Sequence, residues 1–177
     1  LVTLLNLSKW DDPNGVITGD VRGYYAYLPA LFIHNDLKLE NPGVYNQDKS
    51  TQIWFSEAED GTRFIKFTSG MSILYSPFFA AAHLYAKNSQ FEANGFTTPY
   101  KVALTLSGLF YLLISLIFCT KFLRLYFSSG VTALTLLILF IGTNLFHYLT
   151  GNITYSHGYS FALISIFMYA TVKWISI

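Results

Sequence analysis

Charged residues and cysteine are both scarce in this sequence. Lys, Arg, Asp and Glu together make up 12% of the 177 residues, whereas an ordinary soluble domain carries about 25%. The net charge is +1 and no polybasic run occurs, so nucleic acid is not a predicted partner. The single cysteine, Cys119, excludes an intrachain disulfide. Hydrophobic residues, by contrast, make up 53% of the chain and aromatic residues 18%, which indicates that lipid is part of the solvent.

The common motifs for metals and nucleotides are missing as well. Asp11, Asp12 and Asp20 lie close together in the sequence, but their spacing fits no calcium loop. The four histidines lack zinc spacing, and there is no P-loop, nucleophile elbow or dinucleotide fingerprint. We therefore predict neither a metal site nor a cofactor.

Three apolar segments are predicted to cross a membrane. They are Val102–Cys119, Gly130–Leu149 and the stretch from Tyr159 to the C-terminus, and each approaches the roughly 20 apolar residues that span a hydrocarbon core. The loop after the first segment contains Lys121 and Arg124, whereas the loop after the second contains no Lys or Arg. By the positive-inside rule, the second loop lies outside the cell.

The segment Met71–Ala86 decides where the preceding residues lie. As a helix it would reach only about 24 Å, and it contains Pro77, so we predict that it lies along the membrane interface. Residues 8–101 then form a large extracytoplasmic loop, and residues 102–177 form the spans. If the segment crosses the membrane instead, Asp20 moves to the cytoplasm.

The predicted fold is mainly α, with polytopic membrane helices and a large first loop that carries interfacial helices and a β-hairpin. "LVTLLNL" at residues 1–7 is the predicted end of a further span, so we expect the chain to be the N-terminal fragment of a longer protein, within a single membrane domain. Inside the loop, Val21–Asn35 is a predicted amphipathic helix that Pro29 kinks or shortens. The pair Asp60-Gly61, flanked by β-rich arms, predicts the hairpin.

Asp20 is the first candidate for chemistry. It follows Gly19 and opens the predicted helix, so capping that helix explains its presence without any further function. An aspartate held at the outer lipid boundary is also suited to act as a general base. The two interpretations are compatible, because capping would also fix the direction of the carboxylate.

Two cations and two histidines complete the candidate set. Arg22 and Lys66 are suited to hold a phosphate, although either could simply snorkel to lipid headgroups or pair with an acid. His157, next to Ser156 as a cap for the third span, is either a structural histidine or a ligand for a phosphate or a sugar hydroxyl. His83 is predicted on the polar face of the interfacial helix. The predicted substrate-binding residues are thus Lys66, Arg22, Tyr24, His157, Ser156 and His83.

Together these residues resemble a known family. Gly19-Asp20, followed four residues later by Tyr24 in a large first outer loop, resembles the GT-C membrane glycosyltransferases, in particular the protein mannosyltransferases and the bacterial lipid A aminoarabinose transferases. The resemblance implies that Asp20 is the catalytic aspartate and that Lys66, before "FTSGMSILYSPFF", binds the lipid-phosphate donor. The sequence departs from the family at Val21, where a second acid is common, and after Lys66, where Phe-Thr-Ser replaces Pro-Pro-Leu.

The resemblance implies an inverting transfer of a sugar from a polyprenyl-phosphate donor to a lipid, glycan or protein acceptor. The reaction would take place at the outer face of a bacterial cytoplasmic membrane, in contact with membrane lipid. Asp20 would deprotonate or orient the acceptor hydroxyl, and Lys66, Arg22 and His157 would stabilise the departing phosphate. Tyr24 and its neighbours in "GDVRGYYAYLPA" would seat the helix at the interface, where aromatic faces also stack on sugars.

Two other interpretations stay open on the sequence alone. A transporter or assembly subunit would use the outer loop to bind a partner or a lipid headgroup, with Asp20 acting only as a cap. A membrane-embedded hydrolase is the weaker alternative, because the sequence shows no evident nucleophile–base pair and no metal set.

Overall fold

The computed structural model describes residues 15–41 and 53–176, and these residues are mainly helical. The helices are α1 (Asp20–Tyr25), α2 (Tyr27–Phe32), α3 (Gly70–Lys87), α4 (Thr98–Leu123), α5 (Ser129–Gly142), α6 (Asn144–Gly151) and α7 (Ser156–Ile175). Strands β1 (Ser56–Glu57) and β2 (Arg63–Phe64) lie between α2 and α3 in the chain. The predicted end of a further span at residues 1–7, and Asp11 and Asp12, lie outside the described residues.

Two helices are long and apolar enough to cross a membrane. They are α4, with 26 residues, and α7, with 20 residues. The helices α5 and α6 pass the same test only as a pair, and they are bent by 66° where they meet. The spanning length of the first and third predicted segments is therefore confirmed, whereas a polytopic arrangement in a membrane stays a prediction.

The chain divides into two compact units. The described residues from 15 to 107 form the first unit, and those from 108 to 176 belong to the second. The core of the first unit contains five buried residues, Ala26, Ala30, Leu39, Ile53 and Ile65, with Tyr27, Phe55 and Phe67 packed against them. Residues from α2, from the loop after it and from the hairpin thus share one core.

The predicted helix Val21–Asn35 is divided into two short helices. The break lies at Ala26, between α1 and α2. Pro29 explains its position, because proline has no N–H to donate to the carbonyl of Tyr25, four residues earlier, and its ring crowds that carbonyl. In the first turn of α2 the missing N–H costs nothing, since the N–H groups there have no partner within the helix.

The predicted hairpin is confirmed. β1 and β2 pair antiparallel, with Glu57 opposite Arg63. The turn contains Gly61 at a φ of 82°, a left-handed conformation that glycine adopts without strain. The N–H of Thr62 donates to the Asp60 carboxylate over 2.9 Å, and Arg63 donates to the carbonyl of Leu39 over 3.1 Å. The hairpin is therefore fixed both by its own turn and by the loop after α2.

Helix α3 is continuous, although Pro77 lies inside it. A proline at this position leaves the carbonyl of Ile73 without its usual helical partner. The Ser76 hydroxyl donates to that carbonyl over 2.8 Å, which compensates for the lost bond. With 18 residues, α3 is not among the single helices of the described chain that are long and apolar enough to span. Its predicted place at the interface stays a prediction.

The predicted second span, Gly130–Leu149, is divided between α5 and α6, which pass the spanning test only together. The chain leaves the helix at Thr143, whose backbone is extended. The Thr143 side chain satisfies both ends of the break, because its hydroxyl donates to the carbonyl of Leu139 over 2.6 Å and accepts from the N–H of Leu145 over 3.2 Å. Gly142, a poor helix former, precedes the break.

Gly23 gives a direct test of the packing in the first unit. A Cβ atom on Gly23 would lie 1.9 Å from Cδ2 of Phe67, so Gly23→Ala forces the ring out of its place. We expect a loss of about 1–3 kcal/mol of stability, seen as a lower Tm by circular dichroism in detergent. Gly70→Ala is the matched control, because nothing lies within 4 Å of its Cβ position. An equal Tm for both variants would contradict the packing described here.

Candidate functional site

Asp20 is the first residue of α1 and not its cap. The residue before the helix is Gly19, at φ 51° and ψ −132°, and no side chain caps the helix, so the predicted capping role was wrong. A glycine is suited to this position because a positive φ strains other residues. Asp20 is exposed, and its carboxylate has no hydrogen-bond or ion-pair partner among residues 15–41 and 53–176. The carboxylate is open to solvent at the start of the helix, where the helix dipole favours a negative charge.

Arg22 is buried next to the start of α1. Only 8% of the residue is exposed. Its Nε donates to the carbonyl of Ile17 over 3.2 Å, and its guanidinium lies 5.5 Å from the centre of the Trp54 ring. These contacts give Arg22 a packing role that the sequence did not indicate, and they connect the segment before α1 to the segment before β1.

The residues around Lys66 are fixed against α1 and α2. The Tyr27 hydroxyl reaches the carbonyl of Phe67 over 2.6 Å and that of Ile65 over 3.3 Å. The ring of Tyr24 meets the ring of Phe67 edge-on, with 5.1 Å between centroids. Ile65 is buried and Lys66 is exposed. The backbone on both sides of the exposed lysine is therefore fixed against α1 and α2.

A mostly apolar cavity of about 450 Å³ opens between α2 and α3. Its lining residues are Tyr27, Leu28, Leu31, Phe32, Leu37, Ser69, Ser72, Ile73 and Ser76. The three serines are spaced by three and four residues, so they follow one side of α3. Ser72 also donates to the backbone carbonyl of Tyr24. Sequence reasoning missed this cavity, although the serine spacing was visible, because the facing wall comes from α2.

His83 belongs to an aromatic cluster. Its Nδ1 lies 2.6 Å from the Tyr100 hydroxyl, and its ring is nearly parallel to that of Phe79, with 5.8 Å between centroids. Tyr25 packs against Phe79 on the same cluster, and its hydroxyl donates to the carbonyl of Gly95. His83 therefore connects α3 to the beginning of α4. This contact gives it a structural role, in addition to the substrate-binding role that the sequence predicts.

Ser156 and His157 lie in the second unit. Ser156 is the first residue of α7 and does not cap it, since the residue before the helix is Tyr155 and no side chain caps the end. His157 is exposed, and its ring stacks on Tyr148 with 3.7 Å between centroids. The remaining predicted site residues, Asp20, Arg22, Tyr24, Lys66 and His83, all lie in the first unit.

Metal-ligating side chains do not come together in the described part of the chain. Within residues 15–41 and 53–176, no three His, Cys, Asp or Glu side chains are placed to hold one ion.

The comparisons with known proteins returned no match: no protein-family model, no curated protein and no solved structure matches this chain. The resemblance to the GT-C glycosyltransferases consequently depends on the residues quoted above. Membership in that family is a proposal.

The burial of His83 predicts a pH dependence of stability. Desolvation, assisted by the nearby Lys87, lowers the pKa of His83 below its ordinary value of 6.5. His83 therefore binds a proton more readily in the unfolded chain than in the folded chain. Its contribution to the free energy of unfolding is fully present above pH 6.5 and is lost progressively as the pH drops below 6.5. We expect a lower Tm at pH 5 than at pH 7.5, and a smaller difference in His83→Gln.

His34 contributes to this dependence in the same direction, because burial lowers its pKa too, partly opposed by Asp36. The His83→Gln variant should therefore keep a residual pH dependence. The exposed His147 supplies the control, and His147→Gln should retain the full dependence. If the Tm of His83→Gln changes with pH as much as the Tm of the unmodified protein, the pH dependence does not come from His83.

Proposed function

We propose that this chain is part of a membrane glycosyltransferase of the GT-C type. It would move a sugar from a polyprenyl-phosphate donor to a lipid, glycan or protein acceptor, with inversion, at the extracytoplasmic face of a bacterial cytoplasmic membrane. The observation that carries the proposal is the contact of Phe67 with α1. This contact holds an exposed lysine beside the helix that begins with an exposed aspartate.

The spacing along α1 supports a shared site for the two charges. Phe67 contacts α1 at Gly23 and Tyr24, which follow Asp20 by three and four residues. Residues at these spacings lie on one side of a helix, with about 5–6 Å between their Cβ positions. Lys66 is the chain neighbour of Phe67. We therefore assign the Asp20 carboxylate and the Lys66 ammonium group to one site, on either side of the substrate.

The two charges have the signs that the transfer requires. A carboxylate without a hydrogen-bond partner is available to accept the proton of an acceptor hydroxyl as that hydroxyl attacks the anomeric carbon. The bond from the sugar to the phosphate breaks in the same step, and negative charge develops on the departing phosphate. An exposed ammonium group is suited to stabilise that charge. Arg22 is less suited to this task, since its guanidinium is buried under Trp54.

The cavity between α2 and α3 fits the remainder of such a donor. Tyr27 lines the cavity and also binds the carbonyl groups on both sides of Lys66, so the apolar walls begin next to the cation. A polyprenyl phosphate combines an anionic group with a long apolar chain. The phosphate would lie at Lys66 and the first isoprene units along Leu28, Leu31 and Ile73.

The outer surface of the long helices supports a place in a membrane. Four large apolar residues of α4, Leu106, Phe110, Leu113 and Ile117, are 47–60% exposed. They follow one another at intervals of four, three and four residues, so they form one stripe along the helix. A stripe of this kind is typical of a surface that faces lipid. A donor with a lipid tail would then diffuse to the enzyme within the bilayer.

Replacing Asp20 by Asn tests the proposed general base. The change keeps the size of the side chain and removes its basicity, and no hydrogen bond among the described residues is lost. We expect the rate of sugar transfer from a polyprenyl-phosphate donor to fall by about 100-fold or more, measured with the full-length protein in proteoliposomes. Tm should stay within about 2 °C of the unmodified protein.

The control for this variant is Glu59→Gln, which neutralises an exposed acid in the hairpin turn. It should leave the transfer rate unchanged. Full transfer activity in Asp20→Asn would exclude Asp20 as the general base. An unmodified protein that transfers no sugar would favour the non-enzymatic alternative, in which the loop binds a partner or a lipid headgroup.

Replacing Lys66 by Gln tests the proposed phosphate contact. A hydrogen bond to a charged group contributes about 1.5–3 kcal/mol, so the KM for the donor should rise about tenfold or more, with the acceptor KM unchanged. Lys87→Gln, at the exposed end of α3, is the matched control. If the donor KM is the same in both variants, Lys66 does not contact the donor phosphate.

A further inference from the structure

A second cavity, of about 320 Å³, lies in the second unit at the bend between α5 and α6. Three helices build it with residues spaced by four: Leu139 and Thr143 at the end of α5, Asn144 and Tyr148 on α6, and His157 and Phe161 on α7. Leu145 completes the lining. Because residues four apart lie on one side of a helix, each helix presents a single face to the cavity. The volume is at the lower end of the range of ligand sites, about 300–1,000 Å³.

The polar groups of this cavity are the hydroxyls of Thr143 and Tyr148, the Asn144 amide and the His157 imidazole. No Lys, Arg, Asp or Glu is among the residues that line it, so the cavity offers no ammonium, guanidinium or carboxylate group to a charged ligand. The Asn144 amide and the Tyr148 hydroxyl make no hydrogen bond within residues 15–41 and 53–176. An amide and a hydroxyl both donate and accept, which suits a ligand that carries neutral hydroxyl groups.

The aromatic groups add a flat apolar surface. The rings of Tyr148 and His157 are stacked within 22° of parallel, and Phe161 extends the aromatic wall by one turn of α7. Aromatic faces stack on the apolar face of a sugar ring, while the sugar hydroxyls at the rim need hydrogen-bond partners. The cavity lies at the bend of 66° between α5 and α6, and residues from both sides of the bend line it.

We propose that this cavity binds an uncharged sugar ring, stacked on the Tyr148–His157 pair and hydrogen-bonded by Asn144. His157 then contacts a neutral sugar and not the phosphate of a donor. The site does not depend on the transfer reaction proposed for Asp20, since every group that builds it lies in the second unit. It would bind a sugar in a protein whose Asp20 has been replaced.

Equilibrium binding tests this proposal without any measurement of activity. The full-length protein in nanodiscs is titrated with methyl glucoside and methyl mannoside, followed by saturation-transfer NMR. We expect millimolar binding of at least one of the two sugars. Tyr148→Leu and Asn144→Leu should each weaken that binding by about fivefold or more, since each removes a hydrogen-bonding group and Tyr148→Leu also removes the stacking surface. Asp20→Asn should bind the sugar normally, which separates this site from the proposed transfer centre.

Two controls give the experiment its specificity. His147 lies on α6 but does not line the cavity, so His147→Ala should bind the sugar normally whereas His157→Ala should not. Tyr148→Phe keeps the ring and should retain more affinity than Tyr148→Leu, which guards against loss of binding through misfolding. The proposal is overturned if neither sugar binds, if inorganic phosphate at equal concentration displaces the sugar, or if the cavity variants bind as well as His147→Ala.

Discussion

The ring of Phe67 on Gly23 is the contact on which the first unit depends. Gly23 is buried and has no side chain, so the ring occupies the space that a Cβ would fill. The Tyr27 hydroxyl then fixes the backbone on both sides of Lys66. Because these contacts act on neighbouring residues, they fix the backbone of the segment on both sides of Lys66. The exposed Lys66 side chain itself makes no hydrogen bond or ion pair among the described residues.

The three tyrosines near Asp20 differ in burial and in the contacts they make. The sequence alone does not distinguish them, because they lie close together in one aromatic stretch. Tyr25 is fully buried, and desolvation raises its pKa well above 10.0, so it remains a neutral hydrogen-bond donor to Gly95. Tyr27 binds the segment around Lys66. Tyr24 is half-buried against Phe67. Of the three, Tyr24 alone combines partial exposure with a position one helical turn after Asp20. The proposed stacking on a sugar is therefore assigned to this residue.

Features set by neighbouring residues were predictable from the sequence, whereas features set by distant contacts were not. The hairpin follows from Asp60-Gly61, whose turn is stabilised locally, and the spanning length of α4 and α7 follows from their own apolarity. Gly142, just before the break at Thr143, was a local signal for the break. The break was not predicted because Gly142 lies within a long run of apolar residues, which is typical of a continuous span. The burial of Arg22 had no signal in the neighbouring sequence, because it involves a contact with Trp54, which is distant in the chain. The apolar cavity between α2 and α3 was missed for the same reason.

The arrangement of the two units changes what the proposed reaction requires. From the sequence alone, the proposed transfer centre required Asp20 and His157 on the same side of the membrane. The position of α3 relative to the membrane then determined whether such a centre could form. In the structure, Asp20 and Lys66 belong to one compact unit, and Phe67, the chain neighbour of Lys66, packs on Gly23 and Tyr24 of α1. His157 belongs to the other unit, in a cavity that no Lys, Arg, Asp or Glu lines. The proposed transfer therefore assigns its charge chemistry to two residues of the first unit, Asp20 and Lys66.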